Sequence, residues 1–153
     1  MWRKLLKVLE TKRTSKNRRT PKTRRLFLEP LEDRFLPAPV ISTWTGGGGA
    51  NNPNWSAPAN WSAGVPQAAG DEATFDGAVN NCTVNIAVTL DKLTITNNYT
   101  GTITLNQKLT VGKQNVTSTM DGGTIDGGSQ FIVAAGIFNW TGGTLTRTGV
   151  NNI

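Results

Sequence analysis

Beyond Phe75 the chain repeats a simple alternation of apolar and polar positions. Val84, Ile86, Val88 and Leu90 are separated by Asn85, Ala87 and Thr89, and Leu93 and Ile95 by Thr94 and Thr96. A period of two puts one set on each face of an extended strand, so the apolar set faces a core and the hydroxylated set faces outward. Gly, Asn and Asp break these runs into short pieces, which predicts strands joined by turns. Threonine suits the outer face, because a β-branched hydroxyl packs on the pleat without demanding a charged partner.

A longer period lies over the short one. Gly101-Thr102-Ile103 recurs as Gly123-Thr124-Ile125 and again as Gly143-Thr144-Leu145, and Val111, Val133 and Ile153 keep the same two intervals. Two unrelated positions sharing one slightly variable period predict stacked coils, since each coil must return its inward residues above those of the coil before. Glycines at the same phase then supply the corners. The alternative all-β arrangement, a meandering sandwich, also has short strands and turns but has no reason to hold a common period. The repeat stops part-way through its third coil. The C-terminal end is therefore expected to be unfinished, with Ile137, Leu145 and Ile153 under an uncovered coil that takes further coils or self-associates.

Upstream, residues 42–76 read differently. Four consecutive glycines, Gly46 to Gly49, predict a turn, and no Lys and hydroxyl follow at the spacing of a phosphate loop. Trp44, Trp55 and Trp61, set among Asn and Pro, and then Phe75, are expected to close the end of a core, each indole N–H finding an acceptor. The other use of such rings is to stack on sugars.

Charge divides the chain more sharply. Residues 1–34 carry 12 basic and 4 acidic side chains, whereas the rest carries 4 basic and 6 acidic ones and all 17 glycines. The net +6 therefore belongs to a tail. Within it Trp2, Leu5, Leu6 and Leu9 would share one side of a short helix that could rest on an anionic membrane surface, the alternative being that ten residues are too few to hold a helix in water, while residues 11–25 hold almost nothing apolar and are expected to be disordered. The tail lacks interleaved aromatics for base stacking, which speaks against a nucleic-acid partner. No run reaches the 18 apolar residues of a membrane-spanning helix. Leu26, Phe27 and Leu28 run directly into Glu29 and Pro30, too short for the apolar region of an ordinary secretory signal.

Chemistry is sparsely provided. There is no His, and Cys82 is the lone cysteine, so histidine triads, the usual zinc sites and an intramolecular disulfide are excluded. Asp121 and Asp126, each before a Gly pair, are expected to be turn formers. A calcium-binding nonapeptide would need Gly and Asp where Ile125 and Gly127 stand. Neither a metal nor a cofactor is expected.

Two resemblances add a destination. Leu28-Glu29-Pro30-Leu31-Glu32-Asp33-Arg34-Phe35-Leu36-Pro37-Ala38 resembles the Leu-Glu-Pro-Arg-x-Leu-Leu type motif found behind a basic arm in large bacterial proteins presumed to be exported. Asp33 stands where that motif usually has Pro, and Pro37 where it has Leu. The order Trp-Thr-Gly, Asn-Trp-Ser, Ala-Asn-Trp-Ser, Val-Pro and Gly-Asp-Glu-Ala-Thr-Phe over residues 44–75 is similar to the opening of bacterial autotransporter-passenger and filamentous-adhesin-like repeat proteins, where it precedes a right-handed parallel β-helix. Together they imply a basic disordered arm (1–41, with the motif at 28–38), a Trp-rich cap (42–76) and β-helix coils (77–153) of a non-catalytic, adhesin-like protein at the bacterial surface or secreted, with a cell-surface or carbohydrate ligand. The alternatives are the start of a carbohydrate-active β-helix enzyme and a nucleic-acid binder acting through its arm.

Overall fold

The computed structural model describes residues 37–146 and 149–152, with side chains as far as Thr146. The basic arm up to Leu36, including the helix and the disordered stretch expected there, lies outside the described residues, as does Ile153. The described part is all-β: β1 (Ile41–Trp44), β2 (Glu72–Phe75), β3 (Cys82–Val84), β4 (Val88–Leu90), β5 (Lys92–Ile95), β6 (Thr102–Leu105), β7 (Leu109–Val111), β8 (Thr117–Gly127), β9 (Gln130–Val133), β10 (Ile137–Leu145) and β11 (Gly149–Asn152). Every ladder between these strands is parallel.

The strands wind into a parallel β-solenoid of about four turns. Each turn has three faces. The first is built from β1, β2, β5 and the starts of β8 and β10; the second from β3, β6 and the ends of β8 and β10; the third from β4, β7, β9 and β11. The triplet repeat is the register of the second face, where Thr102 and Ile103 pair with Thr124 and Ile125, and these with Thr144 and Leu145. Val111 pairs with Val133 on the third face. A sandwich would not stack these positions.

Inward residues form columns because successive parallel rungs repeat their phase. Trp44, Phe75, Ile95 and Met120 make one column, Cys82, Ile103 and Ile125 a second, and Val88, Leu109 and Phe131 a third, all buried. Outward columns are hydroxylated: Thr43, Thr74, Thr94 and Thr119 on the first face, Thr102, Thr124 and Thr144 on the second.

The structure corrects three details of the sequence reading. Val84 to Leu90 is not one strand, since Ile86 lies between β3 and β4 at a corner. Asp121-Gly122-Gly123 is not a separate turn. It lies inside β8, which bends there from the first face to the second, and Gly123 (φ +63) provides the bend. Ile137 does not belong to the inward set: Phe138 and Trp140 pair with the buried Ser118 and Met120, while Ile137 points outward and is 64% exposed.

Aromatic residues also enter the stack earlier than residue 77. β1 and β2 are full rungs of the first face, and the long connection between them completes a first turn with little regular structure. Asn54 forms a parallel bridge to Thr83 on the second face. The Gln67 carbonyl accepts from the Thr89 N–H on the third. Gly46 to Gly49 form the expected turn, closed by the Gly49 N–H donating to the Gly46 carbonyl, with both residues at positive φ.

Candidate functional site

The features singled out by sequence are the export-associated motif and the aromatic segment. Of the motif, Leu28, Glu29, Pro30, Leu31, Glu32, Asp33, Arg34 and Leu36 lie outside the described residues, and Pro37 and Ala38 are exposed.

The four aromatic residues come together. Trp55 and Trp61 meet edge to face at 4.7 Å between ring centroids, Trp44 and Trp61 at 5.2 Å, and Trp44 stacks on Phe75 at 5.7 Å. These separations lie in the range favoured by ring quadrupoles. All four side chains are buried: Trp44, Trp55 and Phe75 are at most 1% exposed and Trp61 is 6% exposed. Each indole N–H donates to a carbonyl: Trp44 to Asn80 at 3.1 Å, Trp55 to Pro66 at 2.7 Å and Trp61 to Trp55 at 2.7 Å. None of these three indole faces is open to a sugar ring, so these residues work as core.

Two further residues complete the cluster. Tyr99, fully buried, packs 5.0 Å from Phe75 and donates its hydroxyl to the same Asn80 carbonyl at 3.2 Å. Burial, reinforced by the nearby Cys82, pushes its phenol well above its ordinary pKa, so it stays a donor. Asn60 is fully buried with both ends of its amide occupied. Its Nδ2 donates to the Asn52 and Asn54 carbonyls at 2.8 and 2.9 Å, and its Oδ1 accepts from the Gly48 N–H at 2.7 Å. Both were missed in the sequence because Asn97-Asn98-Tyr99 and Pro58-Ala59-Asn60 read as turns, and nothing in their composition says that a turn is folded inward.

The carboxylates hold corners. Asp71 accepts from the N–H groups of Val40, Gln67 and Ala68 at 2.7 to 2.9 Å. Burial pushes its carboxyl up, but these three donors outweigh it and hold the group below the usual carboxylate range. Asp91, one turn on, is held low by the Lys113 ammonium at 2.8 Å and by the Gly70 N–H at 2.9 Å. Asp76 accepts from Thr96 at 2.6 Å and Asn98 at 2.9 Å, which lowers its pKa. Asp121 accepts from Thr141. Among the described residues no group of three His, Cys, Asp or Glu could hold a metal ion. Cys82 is buried in its column, which pushes its thiol well above the usual range and away from the reactive thiolate.

Two small clefts lie among the described residues. One of about 240 Å³ lies between Gly49, Ala50, Pro53 and Val79 to Asn81; another of about 210 Å³ is lined by Pro37, Val40, Val65, Gln67, Ala68 and Asp71. Only the second includes a titratable side chain, and Asp71 is already engaged by backbone.

Among known proteins, no family model matches the chain, and neither the curated proteins nor the solved structures yield a match. The fold is therefore established by its own geometry, and no helix of the described residues is long and apolar enough to cross a membrane.

Proposed function

We propose that the chain is a non-catalytic structural part of an exported bacterial surface protein, with the basic N-terminal segment as its address and the solenoid as its rigid body. The observation that carries this reading is what four of the six acids beyond residue 34 do. Asp71, Asp76, Asp91 and Asp121 each accept hydrogen bonds that tie neighbouring turns or corner backbone together. A polysaccharide-cleaving site instead needs carboxylates standing free on either side of a bound sugar. The motif over residues 28–38 supports the export part.

The partner in this reading is more solenoid. Among the described residues no strand pairs with the far side of β10 or β11, and Trp140, inward in register, is 50% exposed there. A further parallel rung, from more chain or from a second copy, would bury it. The carbohydrate-active reading remains as the alternative for a longer protein whose catalytic turns lie elsewhere, and a carbohydrate ligand for the adhesin reading would bind outside the buried indoles.

Fractionation of the tagged chain in the bacterium that encodes it tests the proposal. Recovery from the envelope or medium, lost when Arg34 and Leu36 are both replaced by Ala, is expected. Recovery in the cytoplasm regardless of those changes would overturn it. Release of reducing ends from polysaccharides by the purified chain would favour the enzyme instead.

A further inference from the structure

A parallel stack has a problem at each end, because its terminal rung presents a row of unpaired N–H and C=O groups that invites strands from another molecule. The first rung solves it in an unusual way. After the 3-10 turn Pro58–Asn60, the chain comes back across the outer side of β1 in the opposite direction, and Trp61 forms an antiparallel bridge to Trp44. The Thr43 carbonyl accepts from the Ser62 N–H at 3.0 Å and the Thr45 N–H donates to the Asn60 carbonyl at 2.8 Å. Two side-chain contacts add to this: the Thr43 N–H donates to the Ser62 hydroxyl at 2.9 Å, and the Ser42 hydroxyl accepts from the Ala63 N–H at 3.0 Å.

The same segment reaches a second face. Pro53 and Trp55 use their backbone groups to pair with Thr83, which turns the Asn54 carbonyl away from the stack. That outward carbonyl, and the Asn52 carbonyl beside it, are taken by the Asn60 amide. Asn60 thus occupies outward groups on two faces at once, by its side chain on one and its carbonyl on the other.

We propose that Asn60–Ala63 is an edge guard: an antiparallel strap that closes the N-terminal end of the solenoid to strand addition by a second copy of this chain. The strap is only four residues long and occupies the outward groups of Thr43 and Thr45, so a copy's rung meets a very short edge in place of a long open row of donors and acceptors. The inference stands on the fold and is independent of the export reading.

Ser62→Pro in the full chain tests it, since it removes the N–H and the hydroxyl that engage Thr43 at an exposed position. The variant should keep the tryptophan emission and β-type circular dichroism of the wild type. It should associate at concentrations at least about tenfold lower, a difference of about 1.4 kcal/mol, as read by light scattering and sedimentation. Leu109→Ala, which weakens the core away from the strap, should produce no such change, separating edge exposure from general loosening. A folded Ser62→Pro with unchanged association would overturn the proposal. So would rapid hydrogen exchange at the Thr43 and Thr45 amides in the folded wild type, a measurement that holds whether or not the variant folds.

Discussion

Trp44 and Tyr99 donate to the same atom, the carbonyl oxygen of Asn80, at 3.1 and 3.2 Å. The two donors come from different turns, one on the first rung and one after β5, and the acceptor lies on the corner before β3. Both lone pairs of one carbonyl are thereby used to fasten three segments.

This shared acceptor makes a graded prediction. Tyr99→Phe removes one of the two bonds but leaves Asn80 satisfied by Trp44, and should cost only about 0.5–1.5 kcal/mol in denaturant unfolding. Tyr99→Ala also empties the space beside Phe75 and should cost about 3–5 kcal/mol. Equal losses for the two would mean that packing at Tyr99 contributes nothing.

Trp55 has no exposed surface and contacts both Trp61 and Phe75. Trp55→Ala and Trp61→Ala should each lower stability by about 3–5 kcal/mol. Unchanged melting in either would remove the aromatic turn from the core.

Gly123 stands at φ +63, and a Cβ there would lie 2.6 Å from the Tyr99 ring. Gly123→Ala should therefore cost about 1–3 kcal/mol from backbone strain, with a further loss from displaced Tyr99. Gly49, also at positive φ but with open space around it, should lose only the strain component when changed to Ala. The comparison is read directly from the two melting curves.

Acid should weaken the fold. Asp71, Asp76 and Asp91 all have pKa values held below the ordinary 3.8. A carboxylate with a depressed folded pKa contributes stability that is fully present above its unfolded value and is lost as pH falls through the folded one. Unfolding free energy should hold level above about pH 5 and decline below about pH 4. Asp71→Asn, which sets an amide NH₂ against either the Val40 N–H or the Gln67 and Ala68 N–H groups, should cost about 1–3 kcal/mol near neutrality and make the acid decline shallower. A profile unaltered by Asp71→Asn would show that the corner does not sense this carboxylate.

The faces were not equally legible in the sequence. The step from Ile103 to Ile125 on the second face equals the step from Val111 to Val133 on the third, and the step from Ile125 to Leu145 is only slightly shorter, so a common period emerged. On the first face the rungs are less even. The step from Ile95 to Met120 is longer than the two equal steps that flank it, Phe75 to Ile95 and Met120 to Trp140. The extra length comes from the corner through Gly112 and Asn115, the latter at φ +62, and the short corner Asp121–Gly123 restores the phase within the same turn. Two compensating lengths hide a column from any fixed period. Trp44 and Phe75, paired across the whole of the irregular first turn, were hidden more completely. Their apolar, hydrogen-bonded character was readable from residue type, but their place as rungs was not. Ile137 was misplaced because the apolar pair Ile137-Phe138 does not reveal its own phase, which only the pairing to Thr117 and Ser118 sets.

The corner between the first and second faces has a further consequence. Between β2 and β3, and again between β5 and β6, it is a separate loop, whereas in β8 it shrinks to Asp121–Gly123 within a single strand, and the strands on either side keep their pairing throughout. A segment whose length already varies within one molecule is a natural acceptor for foreign sequence. The tip at Asn97-Asn98 offers a place to display a peptide or a chemical label at a known height in the stack, with the rungs above and below serving as a ruler of about 4.8 Å per step.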